Sequence, residues 1–346
     1  MTARLETLLG IDHPILLGPF GGLSSVELAA TVSNLGGLGQ FGLYGYTPER
    51  IRDTAAALRA ATDKPFGLNL WVPTGDEVTP ADVDVASVTE RLAPFYERAG
   101  VAQPAATAAF IPPFAEQFEA VLEARPAVVS FVFGLPSADD VAAARDRGIR
   151  VLATATTVAE ARAVADGGAD AVIASGPEAG GHRVSFLRPA EESLVGTFAL
   201  VPQVADAVNI PVIAAGGIAD RRGVAAARAL GAAGVQVGTA FLATRQSAAS
   251  DAHRRAIASA TDDGTVLTRA MSGRLARGVP NLAVRTIESG GEIAPFPAQN
   301  WATGVFRAAA AAADDGELLS LWMGQAAPLA RRTDAAEVFA ELTRGI

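Results

Sequence analysis

Short, almost wholly apolar runs of strand length recur along the chain and alternate with Ala-rich segments of helical pattern. The runs are apolar at nearly every position rather than at every second one, which is typical of strands buried on both faces of a parallel sheet. Eight such runs cover residues 14–20, 36–42, 65–71, 128–134, 150–155, 169–175, 211–217 and 234–241.

The segments between these runs begin with Ser, Thr or Asp and end with Gly, which is the start and stop chemistry of short helices. Eight strand–helix units within residues 1–242 predict an α/β fold, a (β/α)8 TIM barrel. A doubly wound sheet stays the alternative, because strand order cannot be read from the sequence. The predicted helices cover residues 24–36, 47–61, 137–148, 157–168 and 220–231.

Two regions are too long for a plain strand–helix unit. Residues 72–126 predict a helical insertion in the barrel, which covers residues 1–242. Residues 243–346 predict the final crossover and a helical cap over the mouth of the barrel.

Composition narrows the class of protein. Half of the 346 residues are hydrophobic and 19% are charged, which predicts a folded chain with a large core. The absence of Cys excludes disulfides, thiolate nucleophiles and Cys-ligated metals, and three distant His residues give no metal motif. A net charge of −9 argues against nucleic acid as a partner. We find no apolar run long enough for a membrane span and no secretion signal, so we expect a cytoplasmic protein.

The loops after the last two strands carry the first candidate chemistry. Gly216 and Gly217 follow one strand, and Gly238 and Thr239 follow the next. Glycine lets backbone N–H groups approach an anion closely, and this pair of loops is the usual phosphate site of a TIM barrel. The two loops therefore predict a phosphorylated ligand, although tight turns alone would also explain the glycines.

His182 is the candidate catalytic residue, because it follows Gly180 and Gly181 in the loop after the sixth strand, at the rim where barrel enzymes place their chemistry. A neutral imidazole can accept a proton from a carbon acid, and either form can bind an anion. A structural histidine is the alternative. We expect His13 to be structural and His253, among charged residues, to lie on a solvated helix face.

Two further positions point to the same mouth of the barrel. Gly18, Pro19 and Phe20 follow the first strand, and Asn69 lies near the end of the third. A Gly/Pro loop can lie flat against a planar ring, and an amide can both donate to and accept from the polar edge of a heterocycle.

Seven motifs in this order resemble the nitronate monooxygenase family, formerly called 2-nitropropane dioxygenases. They are HPILLGPFGG, PFGLNLW, ASGPEAGGHR, IPVIAAGGI, GAAGVQVGTAFL, MSGRLARG and WMGQAA, and the likeness covers nearly the whole chain. The resemblance implies a TIM barrel that holds FMN without a covalent link. It also implies that O2 is used to convert alkyl nitronates into a carbonyl compound and nitrite, with neutral nitroalkanes as a further candidate substrate.

The resemblance also assigns roles to single residues. His182 would be catalytic, and the tail would approach the flavin through Gly324 and Gln325. Two departures make the substrate range the least transferable property: Ser175 stands where the family commonly has Gln, and Phe20 where it has Met. The other residues that would line FMN are Asn69, Ser175, Gly180, Gly217, Gln236, Val237, Gly238 and Thr239.

Three other functions remain open at this point. A flavin-dependent enoyl reductase would use NAD(P)H, a phosphosugar isomerase or lyase would use the phosphate loops without a cofactor, and a flavin-binding protein would have no activity. Arg274 and Arg277 would either bring positive charge to the substrate or pair with acidic residues at the surface. The oligomeric state is open, a homo-oligomer included.

Overall fold

The computed structural model describes residues 4–346, and its eight barrel strands are all parallel. The strands of the described chain are β1 (Ile15–Leu17), β2 (Gly39–Gly42), β3 (Phe66–Trp71), β4 (Val128–Val132), β5 (Arg150–Ala155), β6 (Ala171–Ser175), β7 (Gly181–His182), β8 (Val212–Ala215), β9 (Gly234–Val237), β10 (Val266–Thr268) and β11 (Ala276–Gly278). The barrel order is β1-β9-β8-β6-β5-β4-β3-β2, and a bridge between Leu16 and Leu38 closes the ring. The predicted TIM barrel is confirmed.

The barrel strands are mostly apolar because both of their faces are buried. Inside the barrel, Leu16, Leu152 and Ile213 belong to one apolar cluster. On the outside, neighbouring residues such as Leu17 and Val151 pack in the larger cluster between strands and helices. Successive side chains of a strand point to opposite faces, so alternate residues enter two different apolar cores rather than a core and the solvent.

All five predicted crossover helices are present, and each begins after a side chain that accepts a hydrogen bond from the first helical turn. The helices are α1 (Leu5–Leu9), α2 (Val26–Asn34), α3 (Pro48–Ala61), α4 (Val85–Arg91), α5 (Ala93–Ala99), α6 (Phe114–Ala124), α7 (Ala138–Asp146), α8 (Val158–Asp166), α9 (Thr197–Ala207), α10 (Arg221–Ala229), α11 (Thr239–Leu242), α12 (Asp251–Ala258), α13 (Leu282–Ser289), α14 (Ala298–Ala312) and α15 (Ala335–Thr343). None of these helices is long and apolar enough to cross a membrane.

A second apolar core lies in the helical cap. Phe95 and Tyr96 of α5 pack against Phe306 of α14, with ring centroids 5.3 and 5.9 Å apart. Two helices of the 72–126 insertion, α4 and α5, thus join α14, whereas α6 packs on α3 and β3 as a barrel helix. The last helix, α15, packs between α2 and α10 and completes the helical ring.

A small antiparallel sheet joins the cap to the loop after β6. It has the order β10-β11-β7, and His182 of β7 pairs with Ala276 of β11. The sequence did not predict this sheet, because a two-residue strand has no periodicity. The sheet holds the candidate histidine against the segment MSGRLARG.

We expect the substitution Gly39→Ala to test the close approach of α2 to β2. An added Cβ would lie 2.6 Å from the carbonyl carbon of Ala29, and the Gly39 N–H donates to the hydroxyl of Ser33. Because backbone would have to move, the free energy of unfolding should fall by about 3 kcal/mol. Urea denaturation measures this change. The control is Gly304→Ala, where the new Cβ meets nothing nearer than 3.8 Å; equal stability of both variants would contradict this packing.

Candidate active site

The imidazole of His182 is held by one hydroxyl group. Its Nε2 lies 2.8 Å from the Oγ of Ser272, which donates to the carbonyl of Arg274 at 3.1 Å and accepts from the Arg274 N–H at 3.3 Å. Since a hydroxyl has one proton and two acceptor sites, this network is complete when Nε2–H donates to Ser272. The arrangement leaves Nδ1 with its lone pair, ready to accept a proton or a hydrogen bond.

The pKa of His182 is lowered to about 3, first because burial disfavours the charged imidazolium and then because Arg274 and Arg307 are positively charged. The imidazole is therefore neutral at physiological pH. It can act as a hydrogen-bond partner or a weak base, but it does not bring a positive charge to the site.

Aromatic rings surround this imidazole. Trp71 and Trp322 meet it edge-on, with ring centroids at 4.8 and 5.6 Å. Trp71 in turn contacts Tyr44 at 4.4 Å and Phe296 at 5.8 Å. The sequence analysis missed these rings, although Trp71 is the last residue of β3 and strand ends form the rim. Together they exclude water from one side of the imidazole.

A buried guanidinium fixes the loop that carries His182. Arg183, 2% exposed, donates to the carbonyls of Gly176 at 2.6 Å and Ser175 at 3.0 Å. Burial lowers the pKa of Arg183 to about 10, which leaves the group charged at neutral pH. The carboxylate of Glu160 holds the far end of the same loop by accepting from the Phe186 N–H at 2.7 Å. Two charged side chains thus fix the conformation of this loop through hydrogen bonds to its backbone.

The predicted phosphate loops lie side by side, because β8 and β9 are neighbours. The N–H groups of Gly217, Gly238 and Thr239 make no hydrogen bond with any part of residues 4–346. The N–H of Gly18 donates to the carbonyl of Val237 at 2.8 Å, so the first loop joins the same rim. Three free donors at adjoining strand ends fit an anion such as a phosphate.

The C-terminal segment with Gly324 and Gln325 contacts the predicted phosphate loops. The N–H of Gly324 donates to Thr239 Oγ1 at 2.9 Å, and the N–H of Gln325 donates to the Glu178 carbonyl at 2.9 Å. A Cβ on Gly180 would lie 2.6 Å from the carbonyl carbon of Met323, so only glycine allows this contact. The structure therefore brings Gly180, Thr239, Gly324 and Gln325 together.

The remaining predicted residues lie at strand ends of the barrel. Asn69 is 3% exposed and donates from Nδ2 to the Ser130 carbonyl at 3.0 Å, so its Oδ1 is the group left to contact a ligand. Gln236 accepts from Gln40 at 2.8 Å. Val237 is fully buried, so it offers only its backbone. The partly buried residues Pro19, Phe20, Gly181 and Gly216 and the buried Ser175 complete the set.

The three arginines near His182 have different partners. Arg274 is buried and pairs with Asp76 at 2.6 Å and Glu77 at 2.7 Å. Arg277 is also buried and donates to the carbonyl of Pro177 at 2.6 Å, so neither residue lies at the surface. Arg307, which the sequence analysis missed, has no carboxylate partner within residues 4–346.

Arg307 instead bonds neutral groups. It donates to the Oδ1 of Asn300 at 2.8 Å and to the Ser320 hydroxyl at 3.0 Å, and its buried Nε has no partner in the described chain. The amide of Asn300 donates to the Tyr44 hydroxyl at 3.0 Å. Burial lowers the pKa of Arg307 to about 10 and raises that of Tyr44 to about 12. The guanidinium thus stays positive, and the phenol keeps a proton that it can donate.

The other two histidines lie outside this site. His13 packs edge-on against Phe339 at 5.7 Å, away from the rim. The prediction of a solvated His253 is wrong: it is 2% exposed, and its Nε2 lies 2.9 Å from the Trp322 carbonyl. Burial lowers the pKa of His253 to about 4. Helix α12 turns this residue inward with Ala252 and Ile257, while its charged residues face outward.

Comparison with known proteins agrees with this geometry. A sequence model of the family described as nitronate monooxygenase matches residues 2–345. A probable nitronate monooxygenase from Staphylococcus aureus (strain Newman) is 37% identical over 345 residues, 99% of this chain and 97% of that protein. Nitroalkane oxidase from Streptomyces ansochromogenes has a TM-score of 0.89 at 36% identity over 99% of both chains. FabK from Thermotoga maritima has a TM-score of 0.78 at 32% identity over 100% of this chain and 96% of its own. The chain therefore belongs to the nitronate monooxygenase family of oxidoreductases.

Proposed function

We propose that the protein is an FMN-dependent monooxygenase that uses O2 to convert alkyl nitronates into a carbonyl compound and nitrite. The observation that carries this proposal is the placement of a neutral His182, inside a shell of aromatic rings, on the same barrel rim as three free backbone donors. Membership of the family supplies the reaction class.

The residues of the rim fit a flavin mononucleotide. Its phosphate would accept from the N–H groups of Gly217, Gly238 and Thr239, and its ring would lie near Asn69 and Gln236. Gly217 is exposed, so the part of the site that would hold the phosphate is open to solvent. When bound, the flavin would supply the redox chemistry by taking electrons from the substrate carbon and passing them to O2.

Charge at the site favours an anionic substrate. The positive charge of Arg307 has neutral partners only, and the Tyr44 hydroxyl contacts the same Asn300 side chain. Arg307 is partly buried, and a cation that is partly shielded from water without a counter-ion is unfavourable, so a bound nitronate would compensate its charge. His182 would then orient the anion and hold its Nδ1 toward the reacting carbon.

The pKa of His182 separates two substrate classes. A nitronate has already lost its α-proton, whereas a nitroalkane must give that proton to a base. An imidazole with a pKa of about 3 is a weak base at neutral pH. We therefore propose nitronates, rather than neutral nitroalkanes, as the preferred substrates.

The first prediction concerns the reaction itself. The purified protein should show the visible absorption of an oxidised flavin, released as FMN on denaturation. With ethyl nitronate it should consume O2 and form acetaldehyde and nitrite, as followed with an oxygen electrode and a nitrite assay. Bleaching of the flavin by NADH under argon, without any reaction of nitronates, would support the enoyl reductase instead. A colourless protein that takes up no FMN would contradict both.

The second prediction concerns His182. Wild-type enzyme should use ethyl nitronate at least 10²-fold better than nitroethane in kcat/KM, because the weak base limits only the neutral substrate. His182→Asn should abolish the residual nitroethane reaction and lower the nitronate reaction by about tenfold or less, since an amide can still bind an anion. Stopped-flow traces with each substrate measure the difference. Full activity of the variant with nitroethane would show that His182 is not the base.

The third prediction concerns Arg307. Arg307→Met should raise KM for ethyl nitronate about tenfold, and Arg307→Lys should restore most of it, because the site needs the charge. The same loss of charge should raise the pKa of His182 above its wild-type value of about 3, while burial keeps it below the ordinary value. Nitrogen-15 NMR of the three labelled histidines follows this pKa directly.

Arg285→Met serves as the matched control, because Arg285 is exposed on α13 and donates to the carbonyl of Pro280, just before that helix. It should change neither KM nor the NMR titration. An unchanged KM in Arg307→Met would show that the substrate anion is held elsewhere.

A further inference from the structure

Two glutamine side chains meet inside the barrel. Gln40 lies in β2 and Gln236 in β9, and both face the interior because their neighbours Phe41, Val235 and Val237 pack in the outer core. Gln40 is 0% exposed, whereas Gln236, one residue before the end of β9, is partly exposed. The pair therefore leads from the buried interior of the barrel to its mouth.

A backbone carbonyl fixes the direction of both amides. The Nε2 of Gln40 donates to the Leu17 carbonyl at 2.8 Å and to the Oε1 of Gln236 at 2.8 Å. Because a carbonyl can only accept, the amino group of Gln40 must lie on this side, and its second proton then requires the oxygen of Gln236. The amino group of Gln236 is thus turned away from Gln40, and it makes no hydrogen bond with any part of residues 4–346.

Stability alone does not explain a glutamine at position 40. Its Oε1 is buried and has no partner in the described chain, which is unfavourable for a polar atom. Gly67 on the adjacent strand β3 makes room for the side chain, because a Cβ there would lie 3.1 Å from the Cγ of Gln40. An unbranched apolar side chain would fill the same space without burying an unpaired oxygen. What only the amide provides is the hydrogen bond that orients Gln236.

We propose that Gln40 is a positioning residue that keeps the amino group of Gln236 directed at the polar edge of the flavin ring. This role rests on the proposed function, in which the ring lies beside Gln236, and it adds a means by which the chain sets the reduction potential of its cofactor. Hydrogen bonds to the ring tune a flavin, and a donor favours the reduced form because reduction makes the polar part of the ring more negative. Without Gln40, the amide of Gln236 is free to turn and present its oxygen instead.

The expected size of the effect follows from the strength of the hydrogen bond. A donor binds a charged acceptor more strongly than a neutral one, by an amount worth about tenfold in an equilibrium. Loss of the donor should therefore shift the reduction equilibrium about tenfold, which is about 30 mV for a two-electron couple.

The test measures the two-electron reduction potential of the FMN-loaded protein by equilibration with a reference dye under argon. Gln236→Met should lower this potential by about 30 mV, and Gln40→Met should lower it by about 15 mV or more. The double variant should lie no lower than Gln236→Met, because Gln40 acts only through Gln236. The matched control is Gln203→Met on α9, where the exposed amide donates to the Ala199 carbonyl of its own helix at 2.7 Å. It should keep the wild-type potential.

Nitrogen-15 NMR of the FMN-loaded protein checks the orientation of Gln236 directly. The side-chain N–H signals of Gln236 should move more than those of Gln40 when dithionite reduces the flavin, because only Gln236 donates to the ring. In Gln40→Met this movement should be smaller. Signals of Gln236 that do not respond to reduction of the flavin would overturn the proposed role.

The outcomes separate this role from the proposed function. A protein that shows these shifts of potential but oxidises no nitronate would contradict the function and support the positioning role. Oxidation of nitronates with an unchanged potential in Gln40→Met, or additive losses in the double variant, would overturn the positioning role and leave the function in place. A protein that takes up no FMN would contradict both.

Discussion

Burial of a neutral imidazole between aromatic rings and two guanidinium groups is the constraint on which the rest of the site depends. Desolvation and the charges of Arg274 and Arg307 act in the same direction, so His182 loses its proton well below neutral pH. His182 is partly buried, and Ser272 satisfies its Nε2 there. What remains is one lone pair at Nδ1 in an apolar shell, beside the strand ends where a cofactor would bind.

The cap explains why such burial is possible in an open-ended barrel. The three-stranded sheet of β7, β10 and β11 connects the loop after β6 to a segment inserted before the last barrel helix. Ser272, Arg274 and Trp322, which all act on His182, come from that inserted part of the chain. His253 anchors Trp322 from behind through its carbonyl. The barrel thus provides the rim, and the cap provides the partners that make the imidazole neutral.

The sequence predicted the barrel well because burial on both strand faces leaves a long apolar run, and five of the helices between the runs begin after a capping side chain. It placed the phosphate loops and His182 at the rim for the same reason: strand ends are visible in the pattern. It could not place Arg307 or Trp322, because contacts between residues far apart in the chain leave no local signal. It misjudged His253 because the neighbouring Asp251, Arg254 and Arg255 suggested a solvated segment, although the buried side of α12 is apolar apart from this histidine.

Arg274 and Arg307 differ in how far their positive charge is compensated. Arg274 is paired with Asp76 and Glu77 and lies against the ring of Phe296, although its charge still lowers the pKa of His182. Arg307 keeps an uncompensated charge among neutral groups. The charge left for an anionic ligand is therefore that of Arg307, while the rings of Trp71 and Trp322 beside His182 are apolar. An anion with an apolar group attached would match both, whereas a phosphosugar, polar along its whole length, would leave the aromatic rings unmatched.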